Sequence, residues 1–593
     1  MLGRRDRTVG AAAGTKKLAT ALILVIGLSV AGCGVSSEST AVDVGDAFDP
    51  GAAQNGDSVK SPPSANSANL PEELVHDFFE ASVGAGEAAA LRAKLFLTAE
   101  GQGQWQPEPT TSLTILRVAS LTTGTPTGGE TPVTVRYRIV GVLTEQGYVE
   151  DLVNSESRQM RFVVVPPEDS SGQWRIERID GLLPDGLFIS DEALDTYYRV
   201  QPVYFWDNTG RWLVPDLRYL PLTKQPEVRP NFVVQWLLNG PSPWLKPAVQ
   251  ALPTGTSANG APVARPGGYV VNLSSQAEAR GPTGLTQLAY QLSWSLRTTS
   301  IPTIELQIDS QARNVAAPAD IMSVNPAASL PPPQPFGVVG GKVVSRQPGG
   351  ASPAPGSVLT AKDNIRVVSA ALSRDLNIAA FVQSSSSGQS LVTVRKTGNK
   401  PEALRIDLTS PIGRPVFIPG TTHLLVASAN RLYLINPANK KPRDITPSGL
   451  EGVQAVAVAP DGRRVAIVAN GKAWVAALAA GAQNSFTVSS QLRPLLPREV
   501  PQAAAVAWQS ERRVLIAGSA GGQPALWEAT ADGVVGKDKS SGLGGSTPTD
   551  VVAYPIDPFS SSGPVMVNTI QGAGDFSGGL VIVKGLRSPF YAG

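Results

Sequence analysis

A chain of 593 residues and 61.9 kDa is several times the usual domain of roughly 100 to 200 residues, so three or more folded units are expected. With 42% hydrophobic and 17% charged residues the chain is no disordered polyelectrolyte, and 59 glycines with 50 prolines among many short apolar runs favour strands and turns over long helices. The net charge of +2 is uneven: Arg4, Arg5, Arg7, Lys16 and Lys17 against Asp6 place +4 in the first 32 residues and leave −2 for the rest, which lacks the positive footprint of a nucleic-acid binder.

The basic stretch is followed by Leu18 to Val30, an uncharged run of thirteen, too short for the roughly 20 apolar residues of a membrane-spanning helix. It reads as the hydrophobic part of a signal peptide, residues 1–32. The only cysteine closes the run Val30-Ala31-Gly32-Cys33, which resembles the lipobox of bacterial lipoproteins. That resemblance implies recognition of Val30, Ala31 and Gly32 by the signal peptidase, cleavage before Cys33, and acylation of its thiol by diacylglycerol and palmitate-type chains. The body is then expected on the extracytoplasmic face of the cell membrane, with membrane lipid as its first partner. Residues 33–69 are Ser, Ala, Gly, Asp and Pro with few large apolar side chains, and are expected to form a disordered tether.

Residues 70–194 open with Pro71-Glu72-Glu73, a good helix start, with Leu74, Val75, Phe78 and Phe79 as the buried face. A second helix is expected over Glu87 to Leu97. Alternating strands follow at Leu113/Ile115, Val133 to Ile139, Met160 to Val165 and Trp174/Ile176. Two helices before a meander resemble the α+β cone of the NTF2 or cystatin type.

The segment 195–322 contains Val203 to Asp207, Leu213 to Pro221, Val233 to Ser242, Leu252 to Thr256 and Val270 to Leu273 in that order, and resembles the α/β GerMN domain. The first and fourth of these runs suit strands. Pro230 to Leu238 suits a helix stopped by Gly240-Pro241, and Leu285, Leu288, Leu292 and Leu296 share one helical face before a strand at Ile304 to Asp309. Five of the ten tryptophans fall here, and Trp212 and Trp244, beside turn residues, are the pair expected to be exposed for binding.

Residues 323–360, rich in Pro and Gly, read as a linker, although Phe336 to Val344 would pair as an early strand borrowed by the last blade of a ring. From 361 to 593 the chain repeats an apolar strand, a turn and a second apolar strand. The turn positions Ser373, Pro419, Pro460 and Gln509 lie 46, 41 and 49 residues apart, the period of a β-propeller, and a weaker fifth copy surrounds Tyr554-Pro555. The expected fold is multidomain and mainly β, ending in a five- to six-bladed propeller.

Catalytic signals are lacking. His76 and His423 fall in different segments, no Walker loop, nucleophile elbow or metal-binding acidic loop occurs, and Asp375, Asp461 and Glu511 sit at hairpin turns. No cofactor, no metal and no enzymatic activity are expected. The whole order of lipobox, tether, α+β domain, GerMN-like module and propeller resembles the actinobacterial LpqB lipoproteins. That resemblance implies an accessory role with the extracellular domain of a sensor histidine kinase, the MtrB partner of the MtrA regulator, in two-component signalling of cell wall and division. A receptor for peptidoglycan fragments or glycans is the alternative.

Overall fold

The computed structural model describes residues 59–593 apart from 108–111, 152–155, 167–171, 182–185, 316–320, 347–355, 399, 497 and 557–562. The expected signal peptide, Cys33 and most of the expected tether lie outside the described residues. The end of that tether belongs to the body. Lys60 N–H donates to the Leu222 carbonyl at 3.0 Å, Ala65 and Ala68 are buried, and Trp174 Nε1 donates to the Asn69 carbonyl.

Helix α1 (Pro71–Ala81) starts at its proline and buries Leu74, Val75, Phe78 and Phe79. The expected second helix is shorter, and a further short helix follows beyond its expected end. Helix α2 (Gly86–Lys94) ends early, and Thr98 then caps α3 (Ala99–Gln104) by accepting from Gly101 N–H. Strands β1 (Leu113–Thr123), β2 (Thr131–Leu143), β3 (Val149–Asp151), β4 (Arg158–Val165), β5 (Arg175–Gly181) and β6 (Phe188–Ser190) form one sheet in the order β5-β4-β2-β1-β6, with β3 on β2. Two register shifts interrupt the β1–β2 ladder, one skipping Val140 of β2 and one skipping Ala119 of β1, as bulges do. Phe78 meets Trp105, Phe162 and Phe188 edge-on at 5.2 to 5.9 Å, so the helices close one face of the sheet with an aromatic core.

Ser190 caps α4 (Asp191–Tyr197) through Ala193 N–H at 3.0 Å, and the chain passes directly into β7 (Tyr198–Trp206). Strand β7 pairs antiparallel with β8 (Leu213–Pro221), and helix α5 (Arg229–Asn239) follows, ending at Gly240 as expected. Strands β9 (Val263–Arg265), β10 (Gly268–Leu273), β11 (Thr303–Ile308) and β12 (Gln311–Ala312) make the second sheet, and α6 (Gly281–Ser295) connects the parallel pair β10 and β11. Leu288, Leu292 and Leu296 are buried.

The fourth run, Leu252 to Thr256, is a turn rather than a strand, because Pro253 and Gly255 break it and Thr256 N–H bonds back to the Pro253 carbonyl. The second run is the strand instead. All nine residues of β8 are buried, including Asp216 and Arg218, which neutralise each other at 2.9 Å. Charges in its centre and prolines near both ends hide it from a reading by alternation.

Among the described residues the propeller has six sheets. Five are built in sequence from β15–β18 (367–406), β19–β22 (416–444), β23–β27 (453–495), β28–β31 (502–538) and β32–β35 (548–583). The sixth unites both ends of the region: β36 (Arg587–Tyr591) pairs with β13 (Pro335–Val339), which pairs with β14 (Lys342–Ser345). The Phe336 and Phe590 rings stack across this seam at 5.6 Å. The 323–360 stretch is therefore not a free spacer. It supplies two strands of the closing sheet, and Asn325 and Ala327 ahead of them are buried. Closure removes the edges a row of open sheets would leave.

One apolar cluster runs without interruption from Val203, Phe205, Val233 and Leu292 of the second module into Ala466, Val506, Trp508 and Val514 of the propeller. Tyr219 and Val534 extend the core of the first domain towards both.

Candidate functional site

The second module meets the propeller at the turns that follow the inner strands, and the contact is made by buried charges. Asp207, just after β7, holds its own turn by accepting from Arg211 N–H (2.7 Å), Trp212 N–H (3.1 Å) and Thr209 Oγ1 (2.6 Å). Its Oδ2 also receives Arg463 Nε at 2.8 Å and Nη2 at 2.7 Å, from the Pro-Asp-Gly turn after β23 (Val453–Val458). Within that turn Asp461 pairs with Arg464 at 2.7 Å, and Arg464 donates onward to the Glu511 carbonyl. The same turn of the next sheet carries Glu511, which accepts from the Tyr204 hydroxyl and from Asn325 Nδ2. Tyr219 donates to Asp532 at 3.0 Å.

Burial raises the Glu511 carboxyl above its ordinary range, and burial beside Glu511 pushes the Tyr204 phenol well up, so Tyr204 stays a proton donor. The first domain is tied in by Glu499, which accepts from Arg117 Nη1 at 3.0 Å and from Arg138. Burial, reinforced by Arg117, lowers the Arg138 guanidinium to about 10.

Beside the Asp207–Arg463 pair a cavity of about 290 Å³ opens between Arg211 and Trp212 on one wall and Pro419, Gly420, Thr421 and Phe486 on the other. Arg211 lies over the Trp212 ring at 4.5 Å. Gly420 has φ +73°, and a Cβ there would stand 3.4 Å from the indole nitrogen, so glycine sets the width of the opening. A second hollow of about 270 Å³ is lined by His423, Asn436, Asn439, Lys441, Arg443 and Gln483. The His423 ring lies 6.4 Å from Phe486, a residue that lines the first cavity. Burial and then Arg443 lower the His423 pKa, and its Nδ1 is buried without a hydrogen bond.

At the central channel the same ends of the six inner strands enclose about 120 Å³, walled by residues such as Ala371, Val416, Ala457, Ala507 and Tyr554, with Leu330 beside them. Its lining is largely apolar, with Arg374 and Arg414 as its charged members, so it lacks the carboxylates that hold calcium. Among the described residues no group of three or more His, Cys, Asp or Glu side chains is placed to hold a metal ion.

The two tryptophans singled out from the sequence separate. Trp212 is half-buried on the wall of the first cavity, whereas Trp244 is 7% exposed within the shared apolar cluster and is not available to a ligand. Trp244 follows Pro243, but Ser242 is drawn inward by Asp216, which accepts from both its N–H and its hydroxyl, and carries the loop into the core. Sequence reasoning placed Glu511 and Asp461 at turns correctly and assigned them no partner. Cys33, Val30, Ala31 and Gly32 lie outside the described residues.

Three family models match the chain in domain order. Residues 63–195 match "Lipoprotein LpqB, N-terminal domain", residues 202–313 match "Sporulation and spore germination", and residues 341–554 match "Lipoprotein LpqB beta-propeller domain". The chain belongs to the LpqB lipoprotein family. Curated LpqB lipoproteins resemble it at low identity. That of Rhodococcus jostii is 28% identical over 396 residues, 62% of this chain and 61% of the relative. That of Mycolicibacterium smegmatis is 27% identical over 298 residues, 48% of each. That of Thermobifida fusca is 30% identical over 181 residues, 28% of each. The matches thus span between about a quarter and three fifths of these LpqB relatives' lengths. Among solved structures, TolB from Acinetobacter baumannii is similar at a TM-score of 0.30 and 13% identity, over 44% of this chain and 66% of that one. These LpqB relatives are lipoproteins by name, and no helix among the described residues is long and apolar enough to cross a membrane.

Proposed function

We propose that this LpqB-family lipoprotein is held at the extracytoplasmic membrane face by acylated Cys33 and acts without catalysis as an accessory of a sensor histidine kinase of the MtrB type. The observation that carries this reading is the buried ion pair between Asp207 and Arg463 within a continuous apolar core, which makes the second module and the propeller one rigid platform for a partner. Anchoring adds to it. Each buried methylene of an acyl chain contributes about 0.8 kcal/mol, and a partner in the same membrane is met at high effective concentration. A Cys33→Ala protein is expected to fold, leave the membrane and lose its effect on kinase signalling. Full signalling by the released protein, or no saturable binding to the kinase's extracellular domain, counts against the reading.

A second reading, a receptor for peptidoglycan fragments or glycans, is favoured by the paired cavities. A half-buried indole, two asparagines and a glutamine beside Arg211, Lys441 and Arg443 offer the stacking surface and polar groups that sugars with acidic substituents require. Binding of cell-wall fragments that Trp212→Ala abolishes supports it. Saturable kinase binding with no fragment binding removes it.

A further inference from the structure

The inner propeller strands run towards the second module, since the turns after β23 and β28 (Gln502–Trp508) carry Arg463 and Glu511. Antiparallel return then places the turns between second and third strands, and the entries to the inner strands, at the far end. On the three adjacent sheets around the closure this far end is unusually apolar. Ile570, in the turn after β33 (Val565–Thr569), is 76% exposed, and Ile365, Val339 and Val368 are 47%, 42% and 38% exposed. Among the described residues every exposed large aliphatic of the propeller lies on these three sheets or at their strand entries, and none on the sheets β19–β22, β23–β27 or β28–β31. Scattered single aliphatics are ordinary on a surface, whereas a cluster of them calls for a partner.

The cluster is contiguous. Arg587, opposite Val338 across the closing pair, donates to the Ile570 carbonyl at 2.9 Å. Val367 N–H donates to the Gly341 carbonyl at 2.9 Å, and Ser588 Oγ to the Val368 carbonyl at 2.6 Å. Exposed cations are interleaved with it: Lys342, Arg366, Lys584 and Arg587. Nearby acids are in part engaged. Asp550 is held by Arg414 at 3.1 Å and Asp575 by Arg346 at 2.9 Å, which leaves the half-buried Asp363 and, on the outermost strand's end, Asp407.

We propose that this end of the propeller, built by sheet closure around Ile570, Ile365, Val339 and Arg587, rests on a bilayer containing anionic lipid. The aliphatic tips enter the headgroup boundary and the four cations meet lipid phosphates. This pairing of apolar side chains with basic ones is what an anionic interface binds. The proposal rests on the lipid-anchored reading for its proximity: 25 residues lie between Cys33 and Val59, at most about 90 Å fully extended. It goes further by orienting the molecule, with the second module and its cavities turned away from the membrane.

The test reconstitutes the full acylated protein on vesicles of neutral phosphatidylcholine and on vesicles with added phosphatidylglycerol, and follows amide hydrogen exchange. Exchange about tenfold slower at 338–343, 364–368 and 569–572 on the anionic vesicles alone is expected, reversed by 0.5 M salt. The same segments in Lys342→Glu/Lys584→Glu should exchange equally on both, with unchanged rates at 203–219 proving that the variant is folded. Equal exchange on both vesicles while the wild-type protein floats with them overturns the proposal. So does protection of these segments by the soluble kinase domain but not by vesicles, which would make the surface a protein interface. Flotation with neutral vesicles reads the anchor separately: if it fails, protection on anionic vesicles still decides the surface.

Discussion

Arg463 Nη2 stands 2.7 Å from Asp207 Oδ2, with the two side chains 6% and 0% exposed, so a propeller turn and a turn of the preceding module neutralise each other out of water. Removing one partner of a buried pair leaves an uncompensated charge and costs about 3 to 5 kcal/mol. Arg463→Ala is expected to lower the unfolding free energy by that amount in denaturant titration, with a larger loss than Arg431→Ala, whose pair with Asp444 is exposed. Equal small effects of the two substitutions would show that the Arg463 pair is not a structural bond.

Glu511 supplies a pH dependence of known sign. Burial raises its folded pKa above the unfolded value, so the native state binds the proton more tightly. Its contribution is complete below the ordinary glutamate range and is lost as pH rises through the folded value. Wild-type stability relative to Glu511→Gln should therefore fall between acidic and neutral pH, measured by denaturant midpoints at each pH. A difference that stays flat or rises with pH would show that the carboxyl is not held protonated-favoured.

Tyr204→Phe removes the hydroxyl that Glu511 accepts from, while Asn325 Nδ2 still donates to it at 3.1 Å. The expected cost is about 1 to 3 kcal/mol at neutral pH, shrinking when Glu511 is protonated. Thermal unfolding at two pH values reads both parts.

The two tryptophans should differ in kind. Trp244→Ala removes a fully packed ring and is expected to cost about 3 to 5 kcal/mol, while Trp212→Ala, on a cavity wall, should cost clearly less and act on ligand binding. Comparable melting temperatures for the two variants would contradict this assignment.

Ring closure depends on Phe336 and Phe590, more than 250 positions apart in the chain. Each alanine substitution is expected to cost about 3 to 5 kcal/mol, and the double variant less than their sum by about 0.5 to 1.5 kcal/mol, the coupling of stacked rings. Strict additivity in a double-mutant cycle would deny the direct contact.

Local physics determined much of this protein in advance. Pro71 with its following acids and the apolar faces of α1 and α6 were legible, because helix entry and amphipathic spacing act within a few residues. The propeller repeat was legible too, since each sheet needs its own apolar strands and turn at a regular period. What required the tertiary structure is everything that pairs distant parts. Strand β8 reads as broken until Asp216 meets Arg218, and Trp244 reads as exposed until Asp216 also draws Ser242 inward. The sixth sheet needs β13 and β36 together, so neither end of the region reveals the blade number by itself. Asp461 and Glu511 look like ordinary turn acids because the partners that neutralise a buried charge are chosen by three-dimensional proximity, and spacing along the chain carries no record of it.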